Sequence, residues 1–331
     1  MAYTGTGTQA DPYVVTTGMS LIECIRKGSG LYIKVANDLD FANEDDYTGK
    51  ISGTLDLSAS HLYADTPKNI YGLTVEGESF FHGGDVFNGN AYLENVNFLN
   101  CVFKQTTITG RNGGIFDGNN GNWAMYTNNC KFSFVAAMST YTYPIFSYVI
   151  CTDSSFYINI ASANPLQPFK EYDFTGDHQP INRFTRCNIV IDGAKYKTPA
   201  NGATPGLVQT TASSSYGTTI KLDTSSLIFK DCDITAVPAS GELFILYVQG
   251  TVPSFLDNSY VAFLNCTVNG QSTNSGTPFT LTGHTVSYPP TGTLAITAAD
   301  NMTVGTGSTV KPITISNLKD KNYLIDIGFL P

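Results

Sequence analysis

"RFTRCNIVID", Arg183 to Asp192, is the stretch that decides the fold. It runs Phe184, two residues, Cys187, one residue, then Ile189. The same order returns in "VNFLNCVFKQ" (Val96 to Gln105), "LIFKDCDITA" (Leu227 to Ala236) and "VAFLNCTVNG" (Val261 to Gly270). Weaker copies occur in "TNNCKFSF" (Thr127 to Phe134), which keeps Cys130 and Phe132, and in "CTDSSFYINI" (Cys151 to Ile160), which puts Ser155 at the small position. The repeated position is thus expected at 101, 130, 155, 187, 232 and 266. A second phrase keeps step with it. "GGDVFNG" and "GGIFDGN" place Phe87 and Phe116 as far apart as Cys101 and Cys130, and Phe146 follows at nearly the same step.

The gaps are unequal, but all fall in the range of roughly 20 to 50 residues that marks a solenoid, a propeller or an array. The repeated segments are short, β-branched and aromatic. They alternate with period two, so Cys187, Ile189 and Ile191 share one face and Asn188 and Val190 the other. Amphipathic helical patterning is missing from the middle of the chain, which excludes stacked helical repeats. A propeller needs four strands per blade and a steadier period. Unequal gaps fit a coil whose strands stack while its loops vary. The expected fold is therefore all-β: a single-stranded parallel β-helix with like side chains in ladders up its interior. Five thiols, Cys101, Cys130, Cys187, Cys232 and Cys266, are expected in one inner column. Asn100, Asn129, Asp231 and Asn265 precede four of them and suit a tight corner in the left-handed conformation.

Composition agrees. Apolar residues make up 42% of the 331 and charged residues only 14%, which separates the chain from disordered polymers. A net charge of -9 argues against nucleic-acid binding, which needs a basic face. The seven cysteines are odd in number, spread out, and include no C-x-x-C pair, so they read as free buried thiols rather than a disulfide framework or zinc site. "MAYTGTGTQADPYVV" has neither the basic nor the apolar region of a secretory signal. No apolar run approaches the ~20 residues that span a bilayer.

The ends differ from the middle. "MSLIECIRKG" (Met19 to Gly28) predicts a short helix with Ser20 as its cap and an apolar side of Leu21, Ile22, Cys24 and Ile25. It is placed to cover the open core of the first turn. Pro289 and Pro290 stop any stacked strand. The alternating tail after them reads as a small β unit whose apolar end packs on its own last turn or on a neighbouring subunit. The divisions are residues 1–67 as cap and lead-in, 68–286 as the parallel β-helix, and 287–331 as the C-terminal β tail, for oligomerisation or attachment.

The pattern "GTGTQADPYVV…LIECI…YIKVANDLDF" resembles the cap of right-handed parallel β-helix proteins of the pectate-lyase-like superfamily, found in phage and bacterial surface proteins. The resemblance covers residues 4–42 as cap and 68–285 as turns. It implies a right-handed coil. It specifies architecture better than function, because the shared motifs are structural.

Pectin-active relatives in that superfamily motivate a search for chemistry. A lyase of that kind needs Ca²⁺ on several carboxylates and a basic proton acceptor. No Asp recurs at a rung position. The Asn-Thr-Asp, paired Asp, Gly-His-Gly and Arg-Ile-Lys signatures of the hydrolases do not occur in order. Asp45 and Asp46 lie in an acidic loop, and His61, His82, His178 and His284 are scattered. "GRNGGIFDGNNGNW" lacks the Lys-Ser/Thr of a phosphate loop. Asn265 and Asn301 match glycosylation acceptors without an export signal to support their use. One loop, "NNGNWAMYTNN", sets Trp123 and Tyr126 among amides, a composition suited to glycan binding; the plain reading is that Trp123 fills a gap against a neighbouring turn.

No catalytic, cofactor or metal residues are assigned. The resemblance implies a tailed-phage virion structural protein, as spike, fibre or head decoration. It would self-associate as a homotrimer and contact other virion proteins, with a host-surface glycan as candidate ligand, no nucleic-acid partner and no membrane insertion. The alternatives are a tailspike polysaccharide depolymerase, built if loops of adjacent turns assemble carboxylates, and a non-enzymatic glycan-binding adhesin module.

Overall fold

The computed structural model describes residues 3–43, 51–52, 57, 59–77, 81–83, 89–105, 115–118, 123–138, 145–147, 149–161, 182–193, 195–197, 206–208, 220–223, 225–235, 244–246, 260–264, 266–268, 271–272, 301–304 and 311–314. These residues form an all-β protein with one helix, built on a long sheet of 17 strands that does not close on itself. All but one of the pairings in that sheet are parallel; Tyr3–Thr4 runs antiparallel to Tyr13–Val15.

Alternation sets what each strand buries. Tyr32, His61, Tyr92, Tyr126, Ile150, Arg183 and Lys221 are successive register partners on seven strands. The residues one step on, Ile33, Leu62, Leu93, Thr127, Cys151 and Phe184, are all buried. A second row joins Ile70, Phe98, Phe132, Phe156, Ile189, Leu227 and Val261. Phe98, Phe132 and Phe156 stack nearly parallel at centroid distances of 5.7 and 4.8 Å. A third row joins Phe81, Phe116 and Phe146. Its rings meet the second row edge-on: Phe116 to Phe132 at 5.0 Å and Phe146 to Phe156 at 5.2 Å. Stacked within rows and T-shaped between them, these rings satisfy both favoured aromatic geometries. Phe116 and Phe146 pair as their spacing predicts. The partner of Phe116 on the other side is Phe81, however, not Phe87, which lies outside the described residues.

The corners have a common cause. Ala59, Asn95, Asn100, Asn129, Asp153, Arg186 and Asp231 all have φ between 48° and 56°. That left-handed conformation costs most side chains ~1–2 kcal/mol and Asn or Asp less. Neighbouring corners offset the cost by bonding each other. The Asn129 Nδ2 donates to Asn95 Oδ1 at 2.7 Å, and Asn95 Nδ2 to the Ala64 carbonyl at 2.9 Å. Arg186 lacks the short amide but makes two bonds to Asp153, at 2.6 and 2.7 Å. Gly72 and Gly193 take the same hand at φ 69° and 77° beside Asn100 and Asp231: Gly72 N donates to Leu99 O, and Gly193 N to Lys230 O.

The thiols correct one sequence expectation. All seven are buried and unbridged, but the five rung cysteines do not form one column. Cys130 and Cys187 belong together, with Ser154 between them. The Cys130 N donates to Ser154 Oγ, and Asn188 N to Ser154 O; Ser225 continues the line by accepting from Cys187 N at 2.9 Å. The small residue of that rung is thus Ser154, not Ser155. Cys232 and Cys266 form a second pair, with Cys232 N donating to Cys266 Sγ at 3.4 Å. Cys101 stands apart, in register with Phe134 and next to Leu73. The reason is that the motif marks any left-handed residue followed by a small inward one, and the chain turns at more than one such corner.

The helix spans Gly18–Ile25. Thr17, not Ser20, is its cap; Ser20 sits at N3 and closes a capping box by accepting from Thr17 N. Leu21, Ile22, Cys24 and Ile25 join the same buried core as Val15 and Ile33, at the end where parallel pairing begins. That start, Tyr13–Val15 on Tyr32–Val35, falls within the stretch read as cap and lead-in. Lys27 lies over Tyr3 and Tyr13 at 5.2 and 5.4 Å, tying the first strand down by cation–π contacts. In the tail, Asn301–Val304 and Lys311–Thr314 pair antiparallel; Pro289, Pro290 and the last apolar residues lie outside the described residues.

Candidate functional site

The first row turns its unburied residues outward, and register makes them a surface. Tyr32, His61, Tyr92 and Tyr126 lie on four successive strands. The His61 ring is 5.6 Å from Tyr32 and 5.4 Å from Tyr92, and Tyr92 is 4.9 Å from Tyr126 with planes 15° apart. Tyr63 packs on His61 from the adjacent column at 5.1 Å. Tyr92 is 39% exposed. With planes about 3.5 Å apart, typical of carbon contact, a 4.9 Å centroid distance means the two rings slip by about 3.4 Å. They overlap like shingles, each leaving part of one face open to solvent.

Polar groups rim this ledge and are held in place. Asn90 Nδ2 donates to the Tyr92 hydroxyl at 3.3 Å, while its Oδ1 accepts from Ala124 N at 2.9 Å. Glu94 accepts from Asn128 Nδ2 at 3.4 Å and faces His61 Nε2 at 3.3 Å. Burial among the rings pushes His61 below its ordinary pKa, and Glu94 only partly offsets this. The neutral imidazole therefore donates Nε2–H to the carboxylate at pH 7. The two residues named from sequence both lie near Asn90. Tyr126 is in the ledge itself. Trp123 is half-buried and precedes Ala124, so the Asn90 bond fixes its segment at the ledge's edge.

Sequence reading missed Tyr32, His61, Tyr92 and Glu94. A signal existed: "YIK", "HLY", "YLE" and "YTN" each put a ring just before an inward side chain, at positions 32, 61, 92 and 126.

A second cluster lies on the outer side of the second row. Asp192, almost fully buried, accepts from Tyr157 OH and from Lys230 Nζ, the latter at 2.6 Å. Asp231 meets the same ammonium at 3.0 Å. Three successive strands are thereby tied together. Burial pushes Tyr157 up to about 12, with the Asp192 carboxylate adding to the rise. Burial alone would lower Lys230, but its hydrogen bonds to Asp192 and Asp231 outweigh that and raise it. One ammonium bridges two carboxylates, and the phenol donates to one of them, so every charged group in the cluster has a protein partner, the arrangement of a staple. His82 lies in the strand Phe81–Gly83; Asp45, Asp46, His178, His284 and Asn265 lie outside the described residues.

In comparisons with known proteins, no family model, no curated protein and no solved structure matches the chain.

Proposed function

We propose that the chain is a right-handed parallel β-helix acting as a rigid structural protein on the surface of a tailed-phage particle, as spike, fibre or head decoration. The observation that carries the reading is the seven-strand parallel row of Tyr32, His61, Tyr92, Tyr126, Ile150, Arg183 and Lys221, in which each strand pairs with the next along the chain. Repetition at such a step, with buried ladders on one side and variable connections between, is how a coil of stacked turns is built. Stacked strands supply stiffness, and outward columns supply contacts. The cap-like segment at residues 4–42 supports the same family of architectures. Self-association as a homotrimer and contact with other virion proteins follow from this role.

Mass measurement in solution tests it. Light scattering should return three times the 35.6 kDa chain mass. A stable monomer, with no chain recovered from purified particles, would overturn the virion reading. It would favour a non-enzymatic glycan-binding module, which the exposed Tyr92–Tyr126 ledge supports.

A further inference from the structure

We infer that the Tyr92–Tyr126 ledge is a binding track for a neutral polysaccharide chain running along the stack. The inference rests on the stacked-turn architecture proposed above but not on the virion role. Three features define the ligand. From Tyr32 to Tyr126 the row presents one ring per strand, at ~4.8 Å steps, close to the width of one pyranose ring; Tyr92 and Tyr126 are shingled into an apolar, slanted surface, and His61 and Tyr32 continue the row as tilted rings. A sugar's C–H face fits such a surface, as flat apolar faces do elsewhere on aromatic platforms. The rim is made for hydroxyls: Glu94 is a carboxylate with accepting capacity beyond Asn128 and His61, its side chain 41% exposed, and Asn90 and the Tyr92 hydroxyl stand beside it. Charge at the ledge selects against acidic polymers, because the chain carries a net -9 and Glu94 is the charged group at the ledge's centre, while the nearest cation of the row, Arg183, stands two strands beyond Tyr126. Rings, amides and one oriented carboxylate match an uncharged, hydroxyl-rich chain.

The direction follows from register. Tyr32, His61, Tyr92 and Tyr126 advance along the stacking direction, not along any strand. A saccharide lying on them therefore crosses the strands. Trp123 directly precedes Ala124, whose N–H Asn90 holds, so its segment lies on the Asn90 side of the track.

The test is an array of bacterial surface polysaccharides, neutral and acidic, probed with the full chain and three variants. Wild type should bind at least one neutral polymer and no acidic one. Tyr92→Ala should weaken that binding about tenfold or more, the size of losing one stacking platform. Tyr92→Phe keeps the shingle but loses the rim hydroxyl, so its binding should fall between wild type and Tyr92→Ala, which guards against misfolding as the cause. Tyr71→Ala removes the other tyrosine exposed among the described residues, one position past Ile70 of the second row, and should change nothing. Binding only to acidic polymers, no binding to any neutral one, or equal loss in Tyr71→Ala and Tyr92→Ala would each overturn the track. Distances between labelled strands test the stacking separately, so a correctly stacked chain that binds nothing defeats this inference alone.

Discussion

Raising the pH from 8 to 10 should destabilise the protein through its buried thiols. Cys101, Cys130 and Cys187 are essentially inaccessible to solvent. Burial pushes each from the ordinary 9.0 up to about 12. Each Sγ also lies within bonding reach of the carbonyl two residues back, Leu99, Asn128 and Thr185, at 3.3 to 3.4 Å, and needs its proton to donate there. The sign follows from linkage. Below pH 9 both folded and unfolded thiols are neutral, and stability does not depend on them. Between 9 and 12 only the unfolded chain loses the protons, so stability falls as pH rises. At pH 10 the difference is roughly 1.4 kcal/mol per thiol, or about 4 kcal/mol for three, against the ~5–15 kcal/mol typical of a folded domain. Urea unfolding under reducing conditions, followed by circular dichroism at pH 8 and pH 10, measures it. The triple variant Cys101→Ala, Cys130→Ala, Cys187→Ala should be weaker at pH 8, from the cavities, yet lose about 4 kcal/mol less than wild type between the two pH values; Cys24 and Cys151, which burial also raises, supply a remaining loss in both proteins. A wild-type change under about 1 kcal/mol, or a fall the triple variant shares in full, would refute the reasoning.

Three further outcomes are expected. Phe156→Ala removes a fully buried ring that meets Phe132, Phe116, Phe146 and Phe184, and should cost about 3–5 kcal/mol in denaturant unfolding, with Phe156→Leu costing clearly less. Asp192→Ala removes the carboxylate that accepts from both Tyr157 and Lys230 and leaves Lys230 paired with Asp231; the loss should be about 2 kcal/mol, below the range for fully buried pairs because Lys230 is partly exposed and keeps one partner, and Asp192→Asn should cost less. His61, lowered by burial, should titrate below the ordinary 6.5 by NMR. Acidification through 6.5 then protonates the unfolded chain first, so stability should fall with falling pH, and His61→Gln should flatten that slope.

The all-β class and the parallel pairing of strands were legible in the sequence because their constraints are local. A left-handed Asn or Asp followed by a small inward residue writes itself into adjacent positions, as at Asn129–Cys130 and Asp231–Cys232. Which corner that pair occupies is not local. Cys101 follows Asn100 at φ 53° just as Cys130 follows Asn129 at 50°, yet Cys101 stands opposite Phe134. Register depends on how many residues the chain spends between paired strands, which no short motif records. The same limit moved Phe116's partner from Phe87 to Phe81. Of this region, Tyr126 and Trp123 were visible because one short stretch of sequence joins them to amides, although Tyr126 lies on the strand Met125–Asn128 and not in the loop expected there. Tyr92 and His61 were not, because outward residues answer to no core and become neighbours only through pairing between strands distant in sequence.

Electron–electron distances along the first row test the stacking most directly. Spin labels replace Tyr32 together with Ile150, or Tyr32 together with Arg183; the seven native thiols are buried and stay unlabelled. Four strand steps separate the first pair and five the second. At ~4.8 Å per step, the backbone separations should be about 19 and 24 Å, differing by one strand. Distances that are equal, reversed in order, or far longer than these would contradict the stack and every surface derived from it.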